Sequence, residues 1–310
     1  MHFSPNPLHI PDGFLSIMVS AVCWAVTMLT LSFAISKTNK GLGEKQVPLM
    51  GVMAAFIFAA QMINFPVAGG TSGHLLGGAL AAIVLGPWAA MLVMTAVVAV
   101  QGLLFQDGGL LVMGANILNM GLITSAIGYG LYRSAANQSK NVKLSVAGLA
   151  AWLSVMAGAL LTSFQLWLSG TSQLQVVIPA MLGVHAVIGV GEAIITVAAL
   201  TFIFQTRPDL VGEGSESAKG SRGWIVVGAI ISLAVVLLSP LASVDPDGLN
   251  RVAMDLGFID VAKSGSAPLA GYMVPFFALT SLNKIVAGVI GVLVVSAIIM
   301  LIGRGMKAKA

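Results

Sequence analysis

Residues 178–204 read IPAMLGVHAVIGVGEAIITVAALTFIF, an apolar run whose only formally charged member is Glu192. A helix rises about 1.5 Å per residue, so about 20 apolar residues are needed to cross a hydrocarbon layer of about 30 Å. The run meets that length, and in lipid a spanning backbone satisfies its polar groups only as a helix or a closed barrel. Working outward, the same kind of run predicts helices near 14–36, 48–66, 74–87, 88–105, 112–132, 146–169, 224–243 and 284–303. The expected fold is an all-α integral membrane protein of about nine spans: a seven-helix bundle and two further transmembrane helices. The third and fourth runs meet at Gly86-Pro87, where proline favours a break. Two helices are expected there.

Composition agrees. Of 310 residues, 57% are hydrophobic and 8% are charged, with a mean hydropathy of +0.97. A soluble domain carries about 25% charged residues, so most of this surface must face lipid or other helices. The 36 glycines let helices approach closely. Cys23 stands alone, which excludes a disulfide framework or a cysteine-built metal site. The net charge of +4 is scattered among loops, so no nucleic-acid partner is expected. No lysine or arginine precedes the first run, and that run exceeds 20 residues, so a cleaved signal peptide is not expected.

Charge also orients the chain. With nine spans and an outer N-terminus, Lys37, Lys40, Lys45, Arg133, Lys140, Lys143, Arg207, Lys219, Arg222, Arg304, Lys307 and Lys309 fall inside. Arg251, Lys263 and Lys284 fall outside. Positive charge collects on the cytoplasmic side, which puts the chain in the cell inner (plasma) membrane with its C-terminus in the cytoplasm. A single crossing over 74–105 would destroy this bias. The Gly/Ser-rich stretch 206–223 reads as a cytoplasmic linker between a seven-span unit, 1–205, and a two-span unit, 224–310. The two spans of the second unit flank a long outer segment, 244–283.

Several chemistries are excluded. There is no G-x-x-x-x-G-K-[ST] loop, since the turn at Gly41-Leu-Gly-Glu-Lys is too short, and no H-E-x-x-H or G-x-S-x-G. No cluster of acid–base residues suits an enzyme, no catalytic residue is assigned, and no bound cofactor is expected. Glu192 alone does not make the relay an ion-driven carrier needs.

The histidines carry what remains. His2 and His9 lie in the opening MHFSPNPLHIPDGFLS, and His74 follows AGGTSG at the expected start of the third helix. Imidazole without thiolate suits Ni, Co, Cu or Zn. The Met1 amine, the next backbone nitrogen and the His2 ring form a natural chelate, and His74 would complete a planar set of four nitrogens. The other reading makes these histidines polar residues at the membrane interface. Thr71 or Ser72 is a candidate helix cap. His185 and Glu192, seven apart on one face, could orient one another or a helix partner, or simply form a buried polar pair inside the bundle. Asn116 and Asn119 read as interhelical hydrogen bonds or as supports for a metal-bound histidine.

Three motifs carry a resemblance: His9-Ile-Pro-Asp-Gly-Phe-Leu-Ser, Gly69-Gly-Thr-Ser-Gly-His-Leu-Leu-Gly-Gly and Leu182-Gly-Val-His-Ala-Val-Ile-Gly-Val-Gly-Glu-Ala. Together they resemble the CbiM/NikM family, the substrate-binding membrane subunits of energy-coupling factor transporters for cobalt and nickel. The stretch Asp245-Pro-Asp-Gly-Leu-Asn-Arg-Val-Ala-Met-Asp-Leu-Gly-Phe is similar to the outer PDGLE loop of the companion N subunit, with Asn250 in place of its Glu. The resemblance implies an M–N fusion that binds Co(II) or Ni(II), with a slight lean to cobalt. It implies cytoplasmic ATPase subunits and a T- or Q-type membrane scaffold as partners, besides membrane lipid. It makes His74 the leading ligand. In the family the HIPDG motif directly follows the initiator Met, whereas here it starts at His9. Either the mature start differs, or Met1 and His2 loop back to chelate, or His9 binds through its side chain alone; His9 ranks above His2. A stand-alone metal channel or secondary carrier is the alternative.

Overall fold

The structure, a computed structural model, describes residues 8–41, 46–211, 223–263, 265–274 and 279–307. Met1 and His2 lie outside them. The helices are α1 (Ile17–Gly41) and α2 (Gln46–Gln61), then an antiparallel hairpin of β1 (Phe65–Val67) and β2 (Thr71–Gly73). After the hairpin come α3 (Gly78–Leu85) and α4 (Pro87–Phe105). α5 (Met113–Asn116) runs through a π-helical stretch, Ile117–Ile123, into α6 (Thr124–Arg133). Then follow α7 (Lys140–Leu168), α8 (Leu174–Thr206), α9 (Gly223–Leu238), α10 (Gly248–Asp255) and α11 (Thr280–Lys307).

Six of these helices are long and apolar enough to cross a membrane: α1, α4, α7, α8, α9 with its short extension to Leu241, and α11. Large apolar side chains point outward from them, including Ile17, Met18, Leu29, Ile194, Ile230, Leu293 and Leu301. In water that would be a liability, but against acyl chains it costs nothing. The interior is packed with Met50, Ile57, Phe58, Leu80, Met94 and Ile299. α7 lies along α8, while α2 lies against both α9 and α11. The last two long helices are therefore built onto the first part of the bundle.

The expected helix over 74–87 is corrected to the eight residues of α3. At about 12 Å it is too short to span a bilayer alone. All eight of its residues are buried, so apolar composition here signals the bundle interior and not a lipid-facing span. The preceding residues are drawn elsewhere. β2 pairs with β1 from Phe65↔Gly73 to Val67↔Thr71. The N–H groups of Leu76 and Gly77 donate to the Glu192 carboxylate at 2.6 and 2.9 Å. Gly77 then takes φ +82°, a left-handed conformation that glycine tolerates. His74 thus sits in a loop ahead of α3 and does not open a helix. Neither Thr71 nor Ser72 caps α3, whose N-cap is Gly77 without a side-chain bond. α3 and α4 do separate at Gly86, as the Gly-Pro pair suggests.

The segment 244–283 is not featureless. Its first part folds α10 and joins the hairpin: Ser72 N–H donates to Pro246 O at 2.9 Å and Ser72 Oγ to Asp245 O at 2.8 Å. Farther on, Lys263 N–H donates to Asp12 O at 2.7 Å. The segment thereby grips both the first turn of the described chain and the hairpin.

Candidate metal centre

Three imidazoles, two asparagines and one carboxylate line a single cavity of about 70 Å³: His9, His74, His185, Asn116, Asn119 and Asp247. Each comes from a different local device.

His9 is seated by three others. Its Nδ1 lies 2.9 Å from Asp107 O. A carbonyl only accepts, so Nδ1 carries the proton and Nε2 keeps its lone pair. Asn116 clamps the next residue on both sides, accepting from Ile10 N and donating to Ile10 O, each at 3.0 Å. Asp12 closes the turn by accepting the N–H groups of Leu110, Leu111 and Val112 at 3.0–3.2 Å, the last just ahead of α5. A side chain at Gly108 would be doubly excluded: φ is +107° and a Cβ would stand 2.9 Å from His9 Cβ.

His74 is fixed by the same logic with other parts. Its Nδ1 donates to Leu75 O at 3.0 Å. Glu192, reaching from α8, holds the next two backbone N–H groups. His74 Nε2 faces Asp247 Oδ1 at 3.8 Å. Asp247 occupies the N-cap of α10 yet makes no capping bond with its side chain. Its carboxylate is instead turned toward the histidine. The gap is too long for a hydrogen bond. It is within what one ion can bridge at about 2.1 Å from each donor.

The two rings meet edge to face, with centroids 5.6 Å apart and planes at 64°. Both are buried, His9 at 2% exposure and His74 at 6%. His9 Nε2 has no hydrogen-bond partner, a costly state for a buried polar atom unless a ligand takes it. Burial pulls the His9 pKa below the ordinary histidine value, and the neighbouring Asp107 only partly opposes it. Burial pulls on His74 as well, but Asp247, the Leu75 carbonyl and the more distant Asp107 and Glu192 outweigh it and leave its pKa raised. His185 completes the set: its Nδ1 donates to Met181 O at 2.8 Å. All three rings therefore present Nε2 with Nδ1 tied to a carbonyl, the arrangement that fixes the tautomer of a metal-ligating histidine. Among the described residues, no three His, Cys, Asp or Glu side chains stand close enough together to hold a metal ion.

Of the readings open for His185 and Glu192, mutual orientation does not occur: His185 bonds its own helix, while Glu192 orients the His74 loop. Asn119 makes the expected interhelical bonds, to Thr162 and Gln165 of α7 at 3.0 and 2.7 Å. Sequence reasoning missed Asp107 and did not single out Asp247. Asp247 was signalled only by its place in the Pro-Asp-Gly-Leu motif. Asp107 carried a weaker signal, a carboxylate beside a Gly-Gly pair just after a spanning run.

Residues 9–210 match the family described as "Cobalt uptake substrate-specific transmembrane region", and residues 222–308 match the PDGLE domain. A protein of Haloquadratum walsbyi, provisionally named a metal transport protein, is 40% identical over 66% of this chain and 93% of its own. One of Archaeoglobus fulgidus, provisionally named a fused nickel transport protein NikMN, is 31% identical over 94% of this chain and 96% of its own. A crystal structure described as a transition metal transporter superposes with a TM-score of 0.61 at 35% identity, covering 68% of this chain and 100% of that one.

Proposed function

Because this chain belongs to the CbiM family and carries a PDGLE domain behind it, we propose that it is the substrate-specific membrane component of an ATP-driven energy-coupling factor importer for nickel or cobalt. The observation that carries the reading is the pair His9 and His74, two buried rings in contact at one cavity, where His9 Nε2 has no hydrogen-bond partner and His74 Nε2 faces the Asp247 carboxylate at 3.8 Å. The ion is the substrate. It enters from the extracytoplasmic side and takes Nε2 of His74 and of His9, with Asp247 as an oxygen donor. The remaining nitrogens come from Met1 and His2, which lie outside the described residues. A relative that matches over nearly the whole chain is named for nickel, and a nitrogen-rich donor set suits Ni(II). That moves the weight from cobalt to nickel.

Added to the six long helices, α2, the short α3 with the segment before it, and the composite α5–α6 helix complete nine crossings, with the N-terminus outside and the C-terminus in the cytoplasm. The chain divides into a metal-binding unit over 1–205, a linker over 206–223 and a PDGLE unit over 224–310. Cytoplasmic ATPases acting through a membrane scaffold supply the energy, since the sequence has no phosphate loop. The test is radiolabelled nickel and cobalt uptake in cells expressing this chain with and without those partner subunits. Uptake lost without the ATPases is the expected result. Uptake that persists unchanged overturns the importer reading in favour of a channel or carrier.

A further inference from the structure

Beside the metal cavity lies a second, larger one of about 170 Å³. It opens among the outer ends of α2, α4, α9 and α11, so both the bundle and the PDGLE unit build it. Its lining is rich in oxygen: Asp107, Asn64, Gln106, Ser239, Ser243 and Tyr272. Leu8 lines this cavity and the metal cavity alike. Asp107 joins them too. Its backbone carbonyl holds His9 on one side, while its carboxylate takes the Leu8 N–H at 2.6 Å and the Tyr272 hydroxyl at 2.7 Å.

Two features set this place apart from packing space. Asn64 Oδ1 and Ser239 Oγ are buried there without hydrogen-bond partners, and Ser239 is wholly enclosed. Left-handed backbone also collects there, at the C-cap of α4 and at Tyr272. Among the described residues the non-glycine residues with a left-handed backbone are Gln106 at φ 57° and Tyr272 at φ 59°, and both line this cavity from opposite units. Bulky residues hold that conformation only when their surroundings impose it, and such residues cluster at functional sites.

We infer that this cavity is an entry vestibule, where a hydrated divalent cation is first held by oxygen donors around Asp107 before passing Leu8 to the imidazoles. The inference rests on the importer reading above. Carboxylate, amide and hydroxyl oxygens suit an ion still carrying water, whereas the inner cavity offers nitrogen. The order strips water in stages. Lys284 also lines the vestibule, and its ammonium opposes an arriving cation, so the device sets the rate of loading.

The experiment is stopped-flow association of Ni(II), and separately Co(II), with the purified full chain in lipid nanodiscs. The comparison is wild type, Ala242→Trp, which fills the vestibule, and Lys284→Gln, which removes the opposing charge. Neither residue lines the inner cavity. Ala242→Trp should slow association about tenfold and dissociation by the same factor, leaving the equilibrium constant unchanged within about twofold, because entry and exit share one path. Lys284→Gln should speed association about threefold in low salt, with the gain shrinking as salt rises. Association rates unchanged in both variants overturn the vestibule. If Ala242→Trp misfolds, the Lys284→Gln rate decides alone. Absence of saturable binding in wild type overturns the importer reading instead, which separates the two failures.

Discussion

The His9 turn and the His74 hairpin solve one problem with unlike materials. Both lock Nδ1 onto a carbonyl and leave Nε2 as the nitrogen available to a ligand. The His9 turn does it with the Asp107 backbone carbonyl and the Asn116 side chain, both far away in sequence, and with its own Asp12, whose carboxylate holds the backbone at Leu111. The His74 hairpin uses its own next carbonyl, a carboxylate from a spanning helix and backbone pairing to the PDGLE segment. The difference teaches that the His9 seat belongs to the first unit, apart from the Tyr272 contact to Asp107 and the Lys263 contact to Asp12. The His74 seat is shared between units. Three of the four carboxylates nearby hold backbone N–H groups, and Asp247 alone is turned toward a ring.

Removing a ring tests the comparison most severely. His74→Ala should weaken Ni(II) and Co(II) binding by more than ~100-fold in titration calorimetry, with His9→Ala close behind. Full affinity in either variant would show that the two seats are not one site. Next in size is Asp247→Asn, which keeps the shape of the PDGLE segment and removes its charge. A loss of about 10- to 100-fold is expected; an unchanged constant would reduce that segment to a cover.

Smaller effects separate the two seats. Asn116→Ala frees the Ile10 backbone and Glu192→Gln gives up one of two backbone bonds, so each should cost about tenfold in affinity. Their Co(II) spectra should differ, since each perturbs a different ring. The smallest expected effect is the coupling between them. If the seats are independent, the double variant should depart from additivity by no more than about 0.5 kcal/mol. A larger coupling would mean that the turn and the hairpin move as one body.

Much of this was legible and the rest had physical reasons to be hidden. The long runs, such as 178–204, declare themselves because lipid demands length and low polarity. The stretch 74–87 does not, since the Ala, Val and Leu of α3 serve a buried eight-residue helix as well as a span. The contact between His74 and Asp247 joins residues far apart in sequence, and nothing local encodes it. Asn116 and Glu192 stood out as polar residues in apolar runs, but their partners are backbone groups of distant loops, which a sequence does not point to. His9, His74 and the Pro-Asp-Gly-Leu stretch were found through their motifs, and the structure brings them to one place.

The strand-like pairing of Ser72 with the PDGLE segment has a consequence for dosage. That segment is covalently tethered, so its encounter with the hairpin is intramolecular, at an effective concentration on the order of millimolar for a short linker. A cover supplied on a separate chain would come off whenever the cell made too little of it. Here every copy of the metal-binding unit carries its own, in fixed one-to-one ratio, and dilution of the protein in the membrane leaves that ratio untouched.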